Sequence, residues 1–127
     1  NPNYVSGSLT KSPGTSDSKI EVEAHSIQFL MEKFGHTEID VLKMDIEGAE
    51  YDVLESLIDS GTINNIGQIC VEFHFRFGCG LVKKTEEVFK SLKNKGFKLV
   101  YAAANQEEFT FARINSDNFN LKKTRKN

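Results

Sequence analysis

The chain has 127 residues, with 16 basic and 18 acidic side chains, a formal charge of −2 and no Trp. About 100–150 residues is the usual size of one domain, and no stretch approaches the roughly 18 consecutive apolar residues of a membrane-spanning helix. The near-neutral balance argues against a broad nucleic-acid-binding face. Lys122, Lys123, Arg125 and Lys126 give only a local basic tail over residues 116–127.

Residues 1–19 hold five Ser, two Gly and two Pro, with few apolar anchors, and are expected to form a flexible segment. Ile20, Val22 and Ala24 alternate, which predicts a short strand over 20–24. Ile27, Leu30, Met31 and Phe34 form an i, i+3, i+4, i+7 stripe, so a helix is predicted there, with Ser26 as N-cap and Gly35 as stop. Ile39 to Met44 reads as a strand of the kind buried on both faces of a parallel sheet. A second helix follows, with Ala49, Val53, Leu54, Leu57 and Ile58 on one side and Gly61 at its end.

Gln68 to Phe77 alternates, which predicts a strand with Ile69, Val71, Phe73 and Phe75 on one face and Cys70, Glu72, His74 and Arg76 on the other. A third helix is expected to be capped by Thr85 and to carry Val88, Phe89 and Leu92, with Gly96 closing it. Phe97–Tyr101 and Phe109–Ile114 read as two final strands that can pair antiparallel. Alternating strands and helices signal an α/β fold with helices on the sheet faces. Ligands in such sheets sit beyond the carboxyl ends of the parallel strands.

Two strand ends carry unusual chemistry. Asp45, Glu47 and Glu50 follow the Ile39–Met44 strand, with Gly48 between them. Asp45 and Glu47 are expected in the ligand crevice, whereas Glu50 reads as a helix-end acid favoured by the macrodipole. Gly48 allows close backbone approach or a conformation that a Cβ would resist. On the later strand Glu72 and His74 share a face, about 7 Å apart, and an acid in a strand interior needs a partner or a cavity.

If the two strands are neighbours, Asp45, Glu47, Glu72 and His74 converge. Carboxylates with an imidazole suit general-base chemistry or the orientation of a hydroxyl by a cation. The competing reading is a buried Glu–His or His–Arg76 network with no ligand. No dense ligand spacing such as HxxxH occurs, so no metal ligand is assigned. Cys70, in an apolar run, reads as a small core hydrophobe, and Cys79 as a loop thiol; neither has CxxC spacing. His25 and His36 flank the first helix as solvated or capping residues, and no glycine-rich phosphate loop, P-loop or nucleophile elbow is found.

The run from Ile39 through Asp45-Ile-Glu-Gly-Ala-Glu50 to Leu54 resembles the signature of the FkbM-type methyltransferases, "D-hydrophobic-L-K-hydrophobic-D-hydrophobic-E-G-A-E". Ile69-Cys-Val-Glu-Phe-His74 is similar to the family's "hydrophobic-E-x-H" strand, and Ser6-Gly7-Ser8-Leu9 to its Ser-rich upstream loop. The resemblance covers residues 5–114. It departs at Ser26-Ile27-Gln28, where the family has T-L-D, so an expected Asp is replaced by Gln28.

The resemblance implies a partial Rossmann-like class I methyltransferase sheet, with helices on both faces and an antiparallel C-terminal strand pair, over residues 20–115. It implies S-adenosylmethionine as cofactor, with Asp45 and Glu47 facing its methionine end and Glu72 and His74 lining the side of a hydroxyl acceptor. The family's first strands and glycine-rich loop are not in these 127 residues. The chain opens on Asn1 rather than Met and is expected to be the C-terminal part of a longer enzyme, inactive alone. A non-catalytic α/β binding module derived from such an enzyme is the alternative, and a metal-dependent hydrolase ranks below both. An exposed sheet edge at Ile39–Met44 is expected to favour self-association.

Overall fold

The structure is a computed structural model and describes residues 23–78 and 80–113. Helix α1 (Ile27–Phe34) is capped as its sequence predicts: the Ser26 side chain accepts from the Phe29 N–H at 3.1 Å. Gly35 ends it at φ +70°, a left-handed conformation that glycine adopts without a Cβ clash. Strand β1 (Ile39–Met44) leads into helix α2 (Glu50–Asp59), and a 3₁₀ turn at Thr62–Asn65 delivers the chain to β2 (Ile66–Glu72). Helix α3 (Leu81–Asn94) precedes β3 (Phe97–Ala102) and β4 (Glu108–Arg113).

The four strands form one mixed sheet in the order β1-β2-β4-β3. β1 and β2 are parallel, with Ile39 opposite Ile66 and Met44 opposite Val71, and α2 provides their crossover. β4 runs antiparallel to both β2 and β3, so the final hairpin inserts its second strand into the sheet. This is the expected α/β class with its antiparallel C-terminal pair. None of the described helices is long and apolar enough to cross a membrane.

The core lies between the sheet and the helices. Tyr51, Leu54 and Leu57 of α2 and Val88 and Leu92 of α3 pack on Ile69, Val71, Phe97 and Phe111. Each such side chain contributes about 1.5–3 kcal/mol by leaving water. Tyr51, Phe73, Phe89 and Phe109 form an aromatic chain, with successive ring centroids 5.2, 5.9 and 4.9 Å apart. At the opposite end of the sheet, Arg113 lies over the Phe97 ring and donates to the carbonyls of Ile63, Ile66 and Lys95 at 3.0, 3.3 and 2.6 Å. One guanidinium thereby ties the 3₁₀ turn, β2 and the end of α3 to β4.

Several expectations change. Helices α2 and α3 share one face, joined by the Tyr51 hydroxyl and Thr85 Oγ1 at 2.8 Å and by Lys84 to Asp52 at 3.3 Å, and Ile27 of α1 packs on the same core. The other face, with Val41 and Tyr101 exposed and Cys70 half-buried, has no helix over it among the described residues. Among the described residues β1 is accordingly an edge strand, with Met44 its only buried residue, not a strand covered on both faces. Cys70 meets Thr110 Oγ1 on that open face rather than sitting in the core.

The strand predicted over 68–77 stops at Glu72, because His74 turns the backbone and Phe75–Phe77 forms a 3₁₀ turn. Phe73 and His74, adjacent in sequence, are both buried, so the alternation breaks there. Helix α3 begins at Leu81 after Gly80, and Thr85 lies inside it, donating to the Leu81 carbonyl at 2.8 Å instead of capping. Ser60 caps α2, and Gly61 opens the following 3₁₀ turn. Glu23 to Ser26 is not strand. Residues 20–22 of that prediction lie outside the described residues, as do residues 1–19, Cys79, Ile114 and the basic tail.

Candidate active site

The parallel pairing of β1 and β2 sets their carboxyl ends side by side, with Met44 opposite Val71. The chain leaves β1 through Asp45 and turns sharply at Glu47 and Gly48, both in left-handed backbone with φ +55° and +106°. Such a conformation costs a residue bearing a Cβ about 1–2 kcal/mol, so the turn needs an anchor. The anchor is Glu50. Side chains at a helix start lean back towards the preceding turn, and the Glu50 carboxylate accepts from the Ile46 N–H at 3.0 Å and from the Gly48 N–H at 3.2 and 3.0 Å. α2 has no side-chain cap at Ala49; Glu50 satisfies these turn amides from within the helix.

The same carboxylate reaches β2's end. Glu50 Oε1 lies 2.8 Å from His74 Nδ1, with Glu50 0% and His74 3% exposed. The other ring nitrogen, Nε2, faces Glu47 at 3.4 Å, Asp45 at 3.8 Å and Glu72 at 3.9 Å. Those three side chains are 45% (Asp45), 30% (Glu47) and 25% (Glu72) exposed, so they reach solvent where His74 does not. The four residues named from the sequence, Asp45, Glu47, Glu72 and His74, therefore meet at one point. Arg76 pairs with Glu107 of the β3–β4 loop.

Electrostatics at this strand end favour positive charge or a proton. Burial is the largest cause pushing the Glu72 carboxyl above its ordinary range; Asp45, Glu108 and Glu107 add to it and His74 partly offsets it. Asp45, Glu47 and His74 present ligand atoms within 4.8 Å of one another, within reach of a common cation. Linear ligand spacing does not reveal this grouping, because His74 arrives from the neighbouring strand. Beside the turn, Ile27, Leu42, Met44, Ile46 and Val53 line an apolar hollow of about 520 Å³.

Glu50 stands in the first turn of α2 as its sequence predicts, but does more there than the macrodipole accounts for. Its helix-start position explains an acid there, but not its complete burial. The signal available was its spacing: two residues after Gly48 and one and two turns back from the core positions Leu54 and Leu57, a place where an uncompensated acid is not tolerated.

The carboxyl ends of the parallel strand pair thus gather three carboxylates around one imidazole, at the position where α/β sheets commonly bind ligands. The chain belongs to the FkbM methyltransferase family: the family model for the methyltransferase FkbM domain matches residues 2–99. The chain is 31% identical over 98 residues to the probable methyltransferase-like protein 24 of Homo sapiens, covering 71% of this chain and 27% of that protein. It is 36% identical over 80 residues to the Rattus norvegicus protein of the same name, covering 57% of this chain and 22% of the relative. The chain thus spans about a quarter of the length of the curated relatives it matches. No solved structure matches it.

Proposed function

We propose that the whole protein transfers the methyl group of S-adenosylmethionine to a hydroxyl acceptor, and that this chain supplies the acceptor side of the site. The observation that carries this reading is the meeting of Asp45, Glu47, Glu72 and His74 around His74 Nε2 at the ends of two parallel strands, in a member of a methyltransferase family. The donor set fits the proposed co-substrate: partly exposed carboxylates from Asp45 and Glu47 favour a cationic sulfonium over the neutral thioether left after transfer. S-adenosylmethionine, when bound, supplies the electrophilic methyl group. The chain's own residues hold the acceptor oxygen in line, exclude bulk water on the His74 side and receive the hydroxyl proton.

Alone, the 127-residue chain is proposed to be inactive, since its resemblance to the family covers the acceptor side and lacks the glycine-rich loop. The test uses the full-length protein, radiolabelled S-adenosylmethionine and a panel of hydroxylated small molecules, sugars and proteins. Transfer to one acceptor class, reduced about 10²-fold or more by Asp45→Asn or His74→Asn, is the expected result. A folded full-length protein that does not bind S-adenosylmethionine would overturn the proposal and favour the non-catalytic module.

A further inference from the structure

We infer that Glu50 is a positioning residue that holds His74 as its Nδ1–H tautomer and thereby makes His74 Nε2 the proton acceptor at the strand ends; its role in catalysis rests on the methyl-transfer reading above. Glu50 Oε1 already accepts from the Ile46 and Gly48 amides, and Oε2 accepts from Gly48, so the carboxylate meets His74 as an acceptor. The proton in the 2.8 Å contact then belongs to Nδ1. Two strong constraints fix the imidazole: both partners are buried, at 0% and 3% exposure, and Glu50 is itself tied to the turn that carries Asp45 and Glu47. Ring plane, tautomer and turn are one unit. A buried carboxylate that orients an imidazole from behind, while the far nitrogen works on substrate, is the arrangement that activates hydroxyls in Ser-His-Asp enzymes.

In methyl transfer the acceptor oxygen forms its bond to the methyl carbon as the carbon–sulfur bond breaks, and that electron pair stays on sulfur. The hydroxyl proton passes to His74 Nε2, giving an imidazolium that keeps its Nδ1–H on Glu50. Glu50 is not protonated at any point. The imidazolium then returns its proton to water past Asp45, Glu47 and Glu72, the charged groups that face Nε2 from the turn and from β2. Their oxygens stabilise the positive charge while it exists.

Glu50→Gln separates this role from mere packing. A Gln in the same place cannot serve both ends. With its amide oxygen towards His74, its NH₂ opposes the Gly48 N–H; reversed, the NH₂ donates to Nδ1 and drives the ring proton to Nε2. The test is nitrogen-15 NMR of the histidine rings in the 127-residue chain, with His74→Gln to assign the signal and His25 and His36 as internal references. The wild type is expected to show His74 protonated at Nδ1 and bare at Nε2 at a pH where the ring is neutral, and Glu50→Gln to shift the ring towards the Nε2–H form. A wild-type His74 found as the Nε2–H tautomer overturns the inference even if the variant fails to fold.

In the full-length enzyme Glu50→Gln is expected to lower kcat about 10²- to 10⁴-fold with KM little changed, and the Glu50→Gln/His74→Asn double variant to lose no more than His74→Asn alone. Additive losses, or a His74→Asn enzyme of unchanged kcat, overturn the catalytic role while leaving methyl transfer intact. Absence of any methyl transfer by wild type overturns that role together with the reading it rests on; the tautomer measurement separately decides the Glu50–His74 assignment.

Discussion

Replacing Glu50 by Ala separates two accounts of this residue by magnitude. An acid in the first turn of a helix contributes only about 0.3–1 kcal/mol through the macrodipole. The structure predicts a larger loss, because truncation removes the acceptor of two backbone N–H groups, at Ile46 and Gly48, and of His74 Nδ1. A buried donor left unmatched costs about 1–3 kcal/mol. Water can enter only at the partly buried amides, so the expected destabilisation is about 3–5 kcal/mol, the range for removing one member of a buried pair. That is a large part of the roughly 5–15 kcal/mol that holds a domain together. Urea denaturation followed by circular dichroism, with Asp45→Ala as the exposed control, measures it directly. A loss below about 1 kcal/mol, or one equal to the control, would mean that Glu50 acts through the macrodipole alone.

Glu72 gives a pH dependence of opposite sign to the usual carboxylate. Its folded pKa is raised above the ordinary 4.5, by burial first and then by Asp45, so its contribution to stability is present below the unfolded value and is lost as pH rises through the folded one. Wild type should therefore lose stability relative to Glu72→Gln between pH 4 and neutrality, on denaturation curves taken at steps of pH; parallel curves across that range would show that burial does not act on this group. Arg113→Met removes a guanidinium that donates to three carbonyls and lies over the Phe97 ring, with an expected cost of about 2–4 kcal/mol and only partial recovery in Arg113→Lys, whose ammonium lacks the planar fork. Thermal melts check this, and a Lys variant as stable as wild type would contradict the geometry. We further propose that the chain self-associates through β1, whose outer edge has no strand partner among the described residues. Val41→Lys, a charge on that exposed strand, should shift sedimentation towards monomer, and an unchanged distribution would rule β1 out as the contact.

Local signals account for much of the fold. The Ser26 cap, the Ile27–Phe34 stripe and the left-handed Gly35 lie within ten residues, and the helix they predict is the helix observed. Strand β1 has its predicted bounds for a similar reason: turn-forming residues punctuate the apolar run at both ends. Where a boundary depended on a partner distant in sequence, local reading failed. Thr85 looks like a cap, but its hydroxyl is claimed by Leu81 and Tyr51. The Gln68–Phe77 alternation looks like one strand until Glu50 draws in His74.

The candidate site divides the same way. The residue types, the strand ends that carry them and the family resemblance are legible along the chain, because a contiguous motif and a period-two pattern are properties of neighbouring residues. The sequence also places Asp45 and Glu47 on one segment and Glu72 and His74 on another. The adjacency of β1 and β2, which brings three carboxylates to His74 Nε2, emerges in the folded chain alone. The same folding buries Glu50 behind them, at the start of α2. The physical reason is that desolvation and hydrogen-bond matching depend on what surrounds an atom in space, and the atoms around Glu50 come from residues 2, 4 and 24 positions away.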